Sequence, residues 1–105
     1  MRRGDIYRFR PVNASGRQQQ GARYGVVVQS DALLPRSVVI VAPTSTSARA
    51  ASFRPEIAID GMPTRVLVEQ LGAVDVGRLG AKAGHLDPEE LWSVDEALAT
   101  VLALG

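Results

Sequence analysis

Apolar residues in this chain fall into short runs broken by glycine, proline and polar clusters, until a helical spacing takes over near residue 87. Ile6, Tyr7 and Phe9 lie close together after Gly4 and Asp5, which predicts an edge strand ending near Pro11. Residues 12–22 hold Asn13, Ser15, Gly16, Arg17, Gln18 to Gln20 and Gly21, a composition that predicts a polar loop. Two largely apolar runs follow, residues 24–28 and 37–42, the second bracketed by Pro35 and Pro43, and both read as strands near a core. The hydroxyl cluster from Thr44 to Ser47 then predicts a turn. Residues 53–59 form a further strand with Pro55 near its edge, and residues 65–71 another after a turn at Gly61, Met62 and Pro63. About five short strands imply a small curled sheet or partly closed barrel.

The last segment differs. Asp87 can cap a helix, Pro88 suits its first turn, and Glu89 and Glu90 favour its positive end. Leu91, Val94, Leu98, Val101 and Leu102 form one stripe, so the helix is expected to pack on the barrel or on a partner, with Trp92 read first as a packing residue and second as part of a dimer interface.

At 105 residues the expectation is one domain over 1–105 with one core. No apolar run reaches membrane-spanning length, and residues 1–15 hold charges and Pro11 where a signal peptide would be apolar, so a cytoplasmic location is the default. Cysteine is absent and His85 is the single histidine, which excludes disulfides, thiolate sites and paired-histidine metal sites within one chain. No cofactor is implied.

Charge changes the picture more than composition does. Residues 1–54 carry nine arginines against Asp5 and Asp31, a side-chain balance of +7, whereas residues 55–105 balance to −6. Arginines gathered on one face would collect a polyanion and clamp phosphates with a rigid donor fork. Cancellation by the acidic second half is the alternative.

Arg23 lies at the boundary between the polar loop and the strand from Tyr24, where the backbone is fixed and the side chain meets a variable surface. Thr44, Ser45 and Thr46 offer hydroxyls that can donate to a phosphate oxygen or satisfy their own turn. Asp5 can orient a neighbouring arginine or hold the first turn through backbone hydrogen bonds. Glu69 and Gln70 close the strand over 65–71, with Gln70 either contacting a base or capping backbone. His85, just before the helix cap, reads as structural.

Several segments, in order, resemble the MazF/PemK family of toxin endoribonucleases. Arg3-Gly4-Asp5-Ile6-Tyr7 resembles the family's first strand, and Gln20-Gly21-Ala22-Arg23-Tyr24-Gly25-Val26-Val27-Val28 its loop-to-strand signature. Val41-Ala42-Pro43-Thr44-Ser45 resembles the strand carrying the family's threonine, and Val66-Leu67-Val68-Glu69-Gln70-Leu71 its late strand. Residues 75–84 resemble its arginine-and-glycine linker, and Asp87-Pro88-Glu89-Glu90 opens the terminal helix. Two departures stand out: Tyr24 where proline is common after the arginine, and Gln18 to Gln20 where glycine and glutamate are frequent.

The resemblance implies a mainly β fold, a small SH3-like or plasmid-maintenance-toxin barrel with a C-terminal helix, assembled as a two-fold homodimer. It implies metal-independent cleavage of single-stranded RNA by attack of the ribose 2′-oxygen on the adjacent phosphate, leaving a 2′,3′-cyclic phosphate and a 5′-hydroxyl. The catalytic arginine falls on Arg23 and the catalytic threonine on Thr44, with Asp5, Tyr24, Ser45, Thr46 and Gln70 as supporting or RNA-binding positions. A small acidic antitoxin is the implied protein partner. Two other expectations remain open: a barrel-type toxin acting on a protein target such as a topoisomerase, and a catalytically degenerate homologue that only binds antitoxin.

Overall fold

The computed structural model describes residues 1–9 and 23–105. Among the described residues seven strands and one long helix follow one another: β1 (Asp5–Phe9), β2 (Tyr24–Val27), β3 (Val38–Ser45), β4 (Glu56–Ile59), β5 (Met62–Val66), β6 (Gly72–Asp75), β7 (Leu79–His85) and α1 (Pro88–Leu102). Every strand pairing is antiparallel, in the order β4-β5-β3-β2-β1-β7, with β6 also on β3. The result is a curled half-barrel with one C-terminal helix. The polar loop expected over 12–22, with Arg17 and Gln18 to Gln20, lies outside the described residues, as do Arg10 and Pro11.

β3 organises the curl because it changes partners along its length. Val38 to Val41 pair with β6, whereas Thr44 and Ser45 pair with β5. Pro43, expected to end the strand, sits inside it, at the changeover. A residue's N–H and C=O point to the same side of a strand, and the Pro43 carbonyl accepts from the Leu67 amide at 2.8 Å. The missing donor therefore falls in the gap between β6 and β5, where no ladder bond is lost. Thr44 and Ser45 accordingly belong to β3 and not to a turn.

Two more boundaries differ from expectation. Met62 and Pro63 are strand residues, and the turn before them is Asp60–Gly61. Strand β5 ends at Val66, and Val68–Gln70 form a 3-10 turn, so Glu69 and Gln70 do not end a strand. Residues 75–84, matched to a linker, contain the end of β6, a 3-10 turn and most of β7. Small residues such as Gly80, Ala81, Ala83 and Gly84 hid that strand, which is held by its pairing to β1 and not by apolar pattern.

Strand β2 is covered on both faces, and β3 is covered on both faces only from Val41 onward, since Val38 and Ile40 are exposed. Val26, Val28 and Ala42 join Ile6, Ile57, Val66 and helix residues Val94 and Ala97 in the larger cluster, while Val27, Val39 and Val41 form a second beneath Tyr7, Phe9 and Val74. Continuous apolar runs suit such strands better than alternation does.

Helix α1 starts as its residues dictate. The Glu90 amide donates to Asp87 Oδ1 at 2.7 Å and the Asp87 amide to Glu90 Oε1 at 3.0 Å, a capping box, with Pro88 in the first turn. Glu90 Oε2 also accepts from the Ala58 amide at 2.9 Å, which fixes the helix start to the edge strand β4. Leu91, Leu98 and Val101 pack on the larger cluster as the stripe implies, but Leu102 is half exposed. Trp92 is 64% exposed and is not the packing residue expected: it is one position off the stripe, facing outward. Among the described residues no helix is long and apolar enough to cross a membrane.

Candidate active site

The sheet's curl leaves a groove of about 480 Å³ between the β2–β3 pair and the β4–β5 hairpin, lined by Arg23, Tyr24, Thr44, Thr46, Asp60 and Met62 among others. A smaller recess of about 180 Å³ is lined by Phe9, Pro43, Gln70 and Val74 and, again, by Arg23. Arg23 is thus common to both. Its backbone is held by the Phe9 amide, which donates to the Arg23 carbonyl at 3.0 Å. Its guanidinium enters no ion pair among the described residues.

Thr44 reaches the same groove from β3, but its side chain is already engaged. It is 2% exposed, and its hydroxyl donates to the Tyr24 carbonyl at 3.0 Å. The bond ties β3 to the residue next to Arg23. With its proton committed, Thr44 presents lone pairs only, and must release Tyr24 before it can donate to a phosphate oxygen.

Tyr24 pairs directly with Arg8 across β1 and β2, and the Arg8 guanidinium sits 5.6 Å from the centre of the tyrosine ring. The ring also packs on the larger core cluster, so this departure from the family's proline gives the strand a packing residue and places a second arginine beside the groove. Ser45 Oγ accepts from the Ser47 amide at 3.1 Å, satisfying local backbone, whereas Thr46 is exposed at the groove. Gln70 lies in the smaller recess.

Asp5 is elsewhere. It is 1% exposed at the start of β1, where Oδ2 accepts from the Arg2 amide at 2.8 Å and Oδ1 from His85 Nδ1 at 2.7 Å. A carboxylate oxygen can only accept, so Nδ1 carries the hydrogen. Lys82 Nζ lies 3.3 Å from the same oxygen. Burial pushes the Asp5 carboxyl up, but the Arg2 amide, His85 and Lys82 together outweigh it and hold it below its usual range. Gly4, at φ 93°, completes this corner: a Cβ there would lie 3.2 Å from the His85 ring. His85 therefore binds Asp5 and does not line either recess beside Arg23.

The charge asymmetry along the chain is partly cancelled in three dimensions. Arg3 meets Asp95 at 2.7 Å, and Arg54 places Nε and Nη2 on Glu69 Oε2 at 2.9 and 2.7 Å. Burial pushes Glu69 up, and the Arg54 bonds more than reverse it. Arg8, over the Tyr24 ring, and Arg23, in the groove lining, form no ion pair with a described acid. Sequence reading missed Arg8, Asp60 and Met62. An Asp-Gly pair between two strand segments marks a hairpin turn, but nothing in the sequence says that the turn faces Arg23.

A curled antiparallel sheet with a terminal helix and an open groove of unpaired arginine and hydroxyls defines a small protein able to hold a single-stranded polyanion. Comparison with known proteins makes this specific. The model of the PemK-like, MazF-like toxin of type II toxin-antitoxin systems matches residues 2–102, and the chain belongs to that family. A toxin candidate of Mycobacterium tuberculosis is 41% identical over 104 residues, covering 97% of each chain. Endoribonuclease EndoA of Bacillus subtilis is 33% identical over 111 residues, covering 99% of this chain and 96% of its own. Among solved structures, a mycobacterial endoribonuclease in complex with its cognate antitoxin superposes with a TM-score of 0.79 at 22% identity, over 100% of this chain and 97% of that one.

Proposed function

We propose that this protein is a toxin endoribonuclease that cleaves single-stranded RNA without a metal, with Arg23 as its principal catalytic residue. One observation carries the assignment of the site: Arg23 is a guanidinium without an acidic partner among the described residues, set between two recesses on a fixed backbone. Family membership and the similarity to an endoribonuclease support the reaction class.

In this reading the scissile phosphate sits on Arg23, with the flanking nucleotides in the two recesses. The ribose 2′-oxygen attacks phosphorus, its proton leaves, and the P–O5′ bond breaks as O5′ takes up a proton. The products are a 2′,3′-cyclic phosphate and a 5′-hydroxyl. Charge grows on the non-bridging oxygens as the phosphorane forms, and a preplaced guanidinium stabilises it with two parallel donors. A guanidinium stays protonated, so Arg23 supplies charge and not a base. Thr44 holds the Tyr24 carbonyl, and with it the backbone that carries Arg23.

The toxin domain is read as spanning the whole chain and acting in the cytoplasm. An acidic antitoxin segment laid over Arg8 and Arg23 would block RNA by occupation and by charge. Val38, Ile40, Leu102 and Leu104 are exposed apolar side chains, and Ile40, Leu102 and Leu104 line one further groove, the surface available for the two-fold dimer that the family resemblance implies. The test is cleavage of mixed-sequence RNA by pure protein in EDTA, with R23A alongside and both new ends identified. Discrete cuts with cyclic phosphate ends, lost in folded R23A, are expected. No cut in any RNA would overturn the reading in favour of a protein target or an antitoxin-binding homologue.

A further inference from the structure

The phosphate groove contains a carboxylate that folding does not need. Asp60 lies in the two-residue loop between Ile59 and Met62, which pair across β4 and β5. Asp60 and Gly61 have φ of 53° and 77°, two consecutive positive values that mark a type I′ hairpin turn. Such a turn asks only for residues that tolerate the left-handed region, and asparagine or glycine serves it at least as well as aspartate. Asp60 enters no ion pair among the described residues, and its side chain accepts no hydrogen bond there. It nevertheless lines the same groove as Arg23.

Beside a track for phosphates, a free negative charge repels the backbone it would meet. A groove built for phosphate alone gains nothing from it. A carboxylate can only accept hydrogen bonds, so what it can hold on RNA is an N–H or O–H donor. Among base edges, guanine presents two adjacent donors, N1–H and the N2 amino group, spaced for the two oxygens of one carboxylate. Uracil sets carbonyl oxygens on both sides of its single N–H and is repelled. Met62, 57% exposed and also in the groove, adds a polarisable apolar side chain against which a base face can rest. The tight turn fixes Asp60 relative to β5, as a reader of base edges requires.

From this juxtaposition we infer that Asp60 is a specificity-determining residue, which accepts from the donor edge of a guanine next to the phosphate held by Arg23. The inference deepens the proposed ribonuclease function and rests on it for the placement of the phosphate. Arg23 and Asp60, both in the lining, give the groove one cation and one anion, the first for the backbone and the second for a base.

The test uses the full chain, D60N and D60G, both compatible with the turn. Cleavage rates are measured on RNAs carrying each base, and inosine, at each position flanking the cut. Binding is measured on the same sequences made uncleavable by a 2′-deoxy sugar at the scissile step. The wild type is expected to favour guanine at one position by about tenfold or more, the range of a good bidentate base contact. Inosine, which lacks the N2 amino group, loses much of that preference. Both variants lose it at that position and keep the wild-type pattern elsewhere. An unchanged base profile in both variants, with the wild type active, overturns the inference and leaves the ribonuclease reading intact. A uniform slowing on every sequence also overturns it, pointing to proton transfer instead. If the wild type cuts nothing yet binds the uncleavable RNAs with a guanine preference that D60N loses, the reader stands and the catalytic reading falls. Neither cleavage nor base-dependent binding overturns both.

Discussion

The two ends of strand β1 hold charge in opposite ways. At its start, Asp5 is buried and surrounded by the Arg2 amide, His85 and Lys82, all within reach of one carboxylate. At its finish, Arg8 lies over the Tyr24 ring and Arg23 lines an open groove, and neither forms an ion pair with a described acid. A charge enclosed by partners stabilises the fold it is part of; a charge without them is available to a ligand. The distinction separates residues that are equally polar in the sequence: Asp5 is enclosed by the fold, whereas Arg23, the catalytic residue proposed above, is left without an acidic partner among the described residues.

If that separation is right, substitution at the two ends should break different things. The largest stability effect is expected for Asp5→Ala, which leaves the His85 ring nitrogen and the Arg2 amide without their acceptor and should cost about 2–3 kcal/mol by urea unfolding. Arg23→Ala should leave stability within about 0.5 kcal/mol of wild type, as an unpaired group does, while lowering the RNA cleavage rate by roughly 10²- to 10³-fold. A cleavage loss in D5A matching that of R23A while the protein remains folded would contradict the division.

Thr44 lies between these cases because it is buried like Asp5 yet lines the groove like Arg23. Thr44→Val removes the donor to the Tyr24 carbonyl and should destabilise by about 1–2 kcal/mol, with cleavage reduced less than in R23A. Thr44→Ser, which keeps the hydroxyl, should recover most of both losses; recovery of stability without activity would mean the threonine methyl orders Arg23.

The smallest effect is a pH dependence confined to acid. Asp5 and Glu69 are both held below their ordinary values of 3.8 and 4.5 in the folded protein. Between the folded and unfolded values the unfolded chain binds more protons, so stability rises with pH across that window. The contribution is complete above about pH 5 and is lost as pH falls through the lowered folded values. Urea midpoints should be flat from pH 6 to 8 and fall below about pH 4, and E69Q should fall less steeply. A midpoint that falls instead between pH 8 and 6 would place the sensitive group elsewhere.

Much of this molecule was legible in advance, for identifiable reasons. The continuous apolar runs of β2 and β3 announce strands close to the core, although the exposure of Val38 and Ile40 on one face of β3 is not announced. The helix start is legible because Asp87, Pro88 and Glu90 act on one another within four residues. Strand β7 was not legible, since its alanines and glycines bear no strand pattern and only β1 beside it makes it one. Arg23 and Thr44 were reached through family resemblance, and their chemistry was read from residue type. The state of the Thr44 hydroxyl was not, because its acceptor lies twenty residues away in sequence.

The sequence by itself determined what local interactions govern: the apolar strands, the capped helix, a turn at Gly61, though not its exact register, and the excess of arginine in the first half. Only the tertiary structure decided which arginines meet acids and which stay free. Pairing depends on distances across the sheet, and Arg3 and Arg54 find their partners in the acidic second half while Arg23 does not. The same curl of β3 between β5 and β6 brings Asp60 into the groove of Arg23 across 37 residues of chain, a separation over which no local pattern carries information.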